Sequence, residues 1–172
     1  MIRSDIRAYK LNVKGIILGF FTGHAFYAVL LYRIGNFFAR HKIPFFPYFF
    51  GFIQLRRFAC EISPYAKIGE GFRLYHTPGI VIGWGVEIGD NCEIFQNVTI
   101  GESRKEKNGK RFPSIGDNCT IYSGACVSGP IEIGLNSQIG ANSVVLSDIP
   151  SNCFAAGAPA RVIRYNKSEG AE

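Results

Sequence analysis

The sequence predicts a mainly β protein whose strands wind into a parallel β-helix behind a helical N-terminal segment. Three observations carry this reading. Aliphatic residues, with one cysteine, recur every six positions at Ile62, Ile68, Leu74, Ile80, Val86, Cys92 and Val98, and again at Ile115, Ile121, Val127, Ile133, Ile139 and Val145. Helices repeat at 3.6 residues and strands at 2, so a strict six needs another cause, a coil whose three flat sides each take one repeat. Glycine, Asn and Asp gather between the beats, as in Ile88-Gly89-Asp90-Asn91 and Ile115-Gly116-Asp117-Asn118. Corners demand backbone angles that those residues tolerate. Finally, residues 1–58 lack the beat and are basic and aromatic instead. The spacing predicts one inward side chain per side, a coil of about eighteen residues and no slip between Ile62 and Val98.

Residues 1–58 read as the helical segment. Ser4 suits an N-cap, and Asp5 falls in the first turn. Residues 15–32 carry no formal charge, which meets the lower length limit of a membrane span, but three glycines, Thr22 and His24 suit a helix pair packed on the β-helix equally well. The segment 43–53 places six aromatics between prolines and a glycine, just after Arg40, His41 and Lys42. Residues 1–60 hold nine Lys/Arg against Asp5 alone, a balance of +8, whereas the other 112 residues sum to −2. Such a basic end is either a solvated face or a surface drawn to anionic membrane through residues 15–53, and the aromatics of 43–53 are covered either by lipid or by packing at a trimer or helix interface. Nucleic acid is excluded as a partner class because no recognition motif accompanies the charge.

The β-helix spans 59–165, and 166–172 reads as a mobile tail. Between Val98 and Ile115 the beat breaks into an excursion loop, 102–113, that begins ESRKEKNGKR. Loops thrown out by a rigid scaffold commonly border active sites. The five cysteines form no CxxC pair and no metal spacing with histidine, so they read as small core residues in a reducing compartment. A metal enzyme is excluded because a single β-helix histidine cannot supply three ligands.

That histidine, His76, lies at the third position of the hexad begun by Leu74 and points away from the core. An imidazole titrates near neutral pH, so His76 is a candidate general base beside the plainer reading of a surface histidine. A base needs an orienting carboxylate. Glu61, fifteen residues earlier, falls almost one coil below it.

The stretches PYAKIGEGFRLYHTPGIVIG, FQNVTIG, GANSVV and AAGAPARVI, with SDIRAY and LLYRIGNFF upstream, resemble the serine acetyltransferase group of left-handed β-helix acyltransferases. The layout, without the long N-terminal domain of the bacterial enzymes, resembles the short colanic-acid and exopolysaccharide O-acetyltransferases. The resemblance implies acetyl-CoA as co-substrate and a homotrimer with active sites between subunits. It makes His76 the catalytic histidine and Glu61 its acidic partner. Asp5 falls where an aspartate helps hold the acceptor. Gly101, Ser123, Ala141 and the Gly157-Ala158-Pro159 turn fall where the cofactor binds, with Arg161 beside them to meet phosphate. Two departures stand out, because an acceptor-binding aspartate is here Tyr75 and a second active-site histidine is Phe112. A serine zwitterion needs charged partners in a buried site.

The sequence therefore predicts a cytoplasmic acetyl-CoA-dependent O-acetyltransferase, peripheral on the inner face of the membrane, acting on a saccharide hydroxyl in surface polysaccharide biosynthesis. The rivals are a serine O-acetyltransferase of cysteine biosynthesis and a non-catalytic β-helix scaffold.

Overall fold

The computed structural model describes residues 1–166 except 13, 16, 17, 20–23 and 105. Its body is a left-handed parallel β-helix of three ladders. Sheet A stacks β1 (Glu61–Ile62), β4 (Val81–Ile82), β7 (Thr99–Gly101), β10 (Cys126–Ser128) and β13 (Val144–Val145). Sheet B stacks β2 (Lys67–Ile68), β5 (Glu87–Ile88), β8 (Ser114–Ile115) and β11 (Glu132–Ile133). Sheet C stacks β3 (Arg73–Leu74), β6 (Glu93–Ile94), β9 (Thr120–Ile121) and β12 (Gln138–Ile139). It ends in the hairpin of β14 (Cys153–Gly157) and β15 (Ala160–Tyr165), the antiparallel pair that closes the ladder.

Each side buries two residues, two apart, where one was expected. Ile62, Ile68, Leu74, Ile82, Ile88, Ile94 and Ile100 form the mid-strand column, and Cys60, Ala66, Phe72, Ile80, Val86, Cys92 and Val98 line the corners. The unbroken six-residue beat therefore hides a slip. Ile62 pairs with Ile82, so the first coil takes twenty residues, while Ile82 pairs with Ile100 and takes eighteen. After Leu74 the beat passes from the strand column to the corner column. The two additional residues lie in 75–80, the corner that carries His76.

The excursion leaves sheet A after Gly101 and returns at Ser114. Lys107 and Lys110 pair antiparallel across Asn108 and Gly109, both left-handed at φ 52° and 73°. Lys107 binds Asp148 at 2.7 Å and Lys110 reaches Glu132 at 3.5 Å, so the small hairpin is strapped to the body.

At the other end α1 (Ile2–Ala8), α2 (Ala25–Arg40) and α3 (Phe46–Phe58) close the first coil. The first helix starts before the expected Ser4, with Met1 at the N-cap. Helix α2 buries Ala28, Val29 and Tyr32 against the β-helix, while the buried Phe26 packs edge-on against Tyr9. Gln54 of α3, 1 % exposed, donates to Ala28 O and accepts from Ile62 N–H, both at 2.8 Å, which satisfies a strand donor at the open end of sheet A. The apolar run 15–32 lies partly outside the described residues, and the tail 166–172 lies there apart from Asn166. Among the described residues no helix is long and apolar enough to cross a membrane.

Candidate active site

The corner between sheets C and A organises the site. Two additional residues let Tyr75–Gly79 bulge from the coil, and His76 is exposed at its crest. The imidazole makes no hydrogen bond or ion pair among the described residues, so both ring nitrogens are available. Above it the same corner repeats in register. Asn97 N–H donates to Pro78 O at 2.9 Å, Gly124 N–H to Gln96 O at 3.1 Å, and Asn142 N–H to Ser123 O at 2.9 Å. His76, Gln96, Ser123 and Ala141 thus climb one edge, with coils spaced about 4.8 Å apart. The Gly157-Ala158-Pro159 turn tops the stack, where Gly157 N–H reaches Ser143 Oγ at 3.2 Å and the Ala158–Pro159 bond is cis. Arg161 follows it, exposed, with Nη1 on Ala160 O.

This edge suits a long, thin ligand with amide groups. Gln96 Oε1 is buried without a partner, and the Ser123 hydroxyl makes no hydrogen bond among the described residues. A buried unpaired acceptor is costly unless something donates to it. Sequence reasoning passed over Gln96, whose only signal was its place one coil above the His76 corner.

The other expected residues occupy several different places. Glu61 is exposed on the outer face of sheet A opposite Val81, and no hydrogen bond or ion pair joins it to His76. It lines a cavity of about 570 Å³ with Phe52, Leu55, Tyr65 and Trp84. Asp5 is 1 % exposed and its carboxylate is taken up internally. Oδ2 accepts from Arg33 Nε at 2.9 Å, while Oδ1 accepts from Arg33 Nη2 and the Phe72 N–H, each at 3.1 Å. That corrects the expectation that Asp5 holds the acceptor, since no oxygen faces solvent.

Tyr75 lies along sheet C. Its ring stacks on Phe95 at 4.2 Å and 10°, Arg73 stands 4.2 Å over its centroid, and its hydroxyl reaches Glu93 Oε2 at 3.3 Å. Phe112 and Gly101 belong to the edge between sheets A and B, where Phe112 packs edge-on against Trp84 with centroids 5.5 Å apart. The width of sheet A therefore separates Phe112 and Gly101 from His76 within one chain. Tyr75 and Phe112 cannot form one aromatic platform there.

Burial pushes the Cys60 thiol up to about 12, so its thiolate is not at hand as a nucleophile at neutral pH. Among the described residues no group of three or more His, Cys, Asp or Glu is placed to hold a metal ion.

A family model, bacterial transferase hexapeptide (six repeats), matches residues 112–147. The chain is 44% identical over 143 residues to the serine acetyltransferase of Helicobacter pylori strain J99, covering 82% of each protein. It is 39% identical over 138 residues to the serine acetyltransferase of Synechococcus elongatus, covering 80% of this chain but 56% of that protein. The chain thus spans little more than half of that relative's length. Among solved structures, serine acetyltransferase from Neisseria gonorrhoeae superposes with a TM-score of 0.85 at 33% identity, covering 96% of this chain and 64% of that one. Soybean serine acetyltransferase complexed with serine gives 0.82 at 32%, covering 94% and 68%. Serine acetyltransferase from Brucella abortus in complex with coenzyme A gives 0.81 at 29%, covering 96% and 67%.

These likenesses overturn the saccharide acceptor and the kinship with exopolysaccharide enzymes. The kinship rested on the short layout, and the acceptor on Tyr75 and Phe112, which are single side chains on different edges of the coil. They alter a local surface within a framework shared over four-fifths of the chain.

Proposed function

The chain belongs to the serine acetyltransferase family, and on that footing we propose that it transfers acetyl from acetyl-CoA to the hydroxyl of L-serine. The observation that carries this is the exposed, unpartnered imidazole of His76 at the foot of a straight edge that holds a buried, unsatisfied amide oxygen. His76 takes the proton from the serine hydroxyl. The alkoxide oxygen attacks the thioester carbonyl, forming the C–O bond and a tetrahedral oxyanion. Collapse breaks the C–S bond, and the imidazolium returns its proton to the CoA thiolate. No acyl-enzyme forms, which accords with the inert buried thiol of Cys60.

The pantetheine arm runs up the edge past Gln96 and Ser123 toward Ala141 and the Gly157-Ala158-Pro159 turn, and Arg161 meets the phosphate end. Glu61 orients His76 once ligands fill the corner, because one imidazole nitrogen must be held while the other works. The working unit is a trimer. Gly101 and Phe112 lie across sheet A from His76, so a neighbouring copy that sets its A–B edge against this C–A edge completes each pocket. The reaction belongs in a reducing compartment, the cytoplasm, a reading supported by five free thiols, four of them buried.

The test is CoA release from acetyl-CoA with L-serine as acceptor. Release that requires serine supports the reading. Acetyl-CoA binding without serine-dependent release would remove serine as acceptor, and failure to bind acetyl-CoA would leave a scaffold.

A further inference from the structure

Helix α3 has its polarity reversed. Its polar Gln54 is buried, whereas Tyr48, Phe49, Phe52 and Leu55 are exposed along one stripe, at spacings of three and four. Tyr48 is 69 % and Phe52 62 % exposed. At the turn from α2 into α3 every residue from 40 to 46 is exposed, so Arg40, His41 and Lys42 run straight into Ile43, Pro44, Phe45 and Phe46. Phe38 braces this tip from within, stacked on Phe46 at 4.6 Å. An apolar patch of this extent is seldom left to water.

The charge around the patch narrows what covers it. Asp5, the single acid of residues 1–60, is buried, so the helical segment presents cations and no exposed carboxylate, while Glu61 of β1 borders the stripe beside Tyr48, Phe52 and Leu55. Arg3, Arg7, Lys10, Arg40, Lys42 and Arg56 are all exposed. The side chains of Arg40 and Lys42 make no hydrogen bond or ion pair among the described residues. A second copy of the same face would set cation against cation, which is unfavourable at an interface. An anionic lipid surface takes the aromatic rings into its interfacial layer and the cations onto its phosphates.

We propose that the α2–α3 tip docks the protein on an anionic bilayer, with Phe45, Phe46 and Phe49 in the interface and Arg40 and Lys42 on phosphate. The contact is peripheral, since no described helix is long and apolar enough to cross. It does not depend on the acetyl transfer proposed above.

The test is co-sedimentation of the full chain with phosphatidylcholine vesicles, with and without phosphatidylglycerol, at low and high salt. The full chain pellets with the anionic vesicles at low salt and is released by high salt. Arg40→Gln with Lys42→Gln weakens binding about thirtyfold, the loss expected for two basic residues at an anionic surface. Phe45→Ser with Phe49→Ser abolishes pelleting and leaves the thermal melt and the CoA-release rate unchanged. Equal recovery on neutral vesicles, or none on either, overturns the proposal. So does a Phe45→Ser, Phe49→Ser variant that keeps its vesicle binding but falls to a smaller species by light scattering, because the tip would then be buried between copies.

Discussion

Arg33 grips Asp5 through Nε–Oδ2 at 2.9 Å, with the side chains 3 % and 1 % exposed, and so ties α1 to α2. The guanidinium also donates to the carbonyls of Ile68 and Gly69, and Asp5 accepts from Phe72, which fastens both helices to the first coil. Asp5→Ala leaves Arg33 charged, buried and unpaired. The expected loss is about 3–5 kcal/mol by urea unfolding. A loss below about 1 kcal/mol would show that water reaches the pair.

His76→Ala is expected to lower kcat about 10²–10⁴-fold while leaving the unfolding transition in place, because the side chain is exposed and makes no contact that the fold needs. Glu61→Gln lowers it less and shifts the pH profile, since an orienting carboxylate acts through the imidazole. Unchanged turnover in His76→Ala would remove the general base.

Thiol reactivity tests the core. Cys60, Cys92, Cys119 and Cys153 are buried, while Cys126 lies on the outer face of sheet A and is partly exposed. Iodoacetamide at neutral pH is expected to label Cys126 alone, by peptide mass, and all five cysteines after denaturation. Burial holds the Cys60 thiol protonated up to about 12, above its usual 9.0. A raised thiol pKa favours the folded state, so this contribution is whole below about pH 9 and is lost as pH climbs toward 12. Native labelling of Cys60 at neutral pH would contradict the packing.

The corner asparagines make a ladder in which Asn118 donates to Asn136 at 3.1 Å and Asn136 to Asn152 at 2.8 Å, all three left-handed with φ of 56° to 57°. Asn136→Ala removes two hydrogen bonds and leaves the left-handed position to a residue that tolerates it less well than asparagine does, at roughly 1–3 kcal/mol for a surface site. Asn136→Gly restores the backbone share, so its thermal midpoint falls between wild type and Asn136→Ala. Equal midpoints for the two variants would assign the whole effect to the side-chain bonds.

The β-helix was readable in the sequence because its core is periodic along the chain. The slip after Leu74 was not, for a definite reason. Strand and corner columns both bury aliphatic residues two apart, so a two-residue insertion moves the beat from one column to the other without breaking it. Ile80 keeps time with Leu74, although Ile82 is its structural successor. The His76 corner was found through chemistry, since histidine is scarce on the coils. The fate of Asp5 was hidden because its partner Arg33 lies 28 residues away in a region with no periodic signal. The separation of Phe112 from His76 follows from which corner each occupies, and an uncorrected coil count does not say. The acceptor was misread because two unusual side chains were weighed above the framework that they decorate.

Gln54 takes the first free donor of sheet A, and the antiparallel β15 covers the last strand of sheet C. Both termini of the stack are therefore sealed by parts that do not repeat, while the coils between them do, apart from the bulge at 75–80 and the excursion after Gly101. The number of coils is set by where the seals sit rather than by any property of a coil. A further eighteen-residue turn spliced in between β11 and β12 would lengthen the molecule without touching either seal, and removal of one seal would leave an open ladder on which copies could grow end to end.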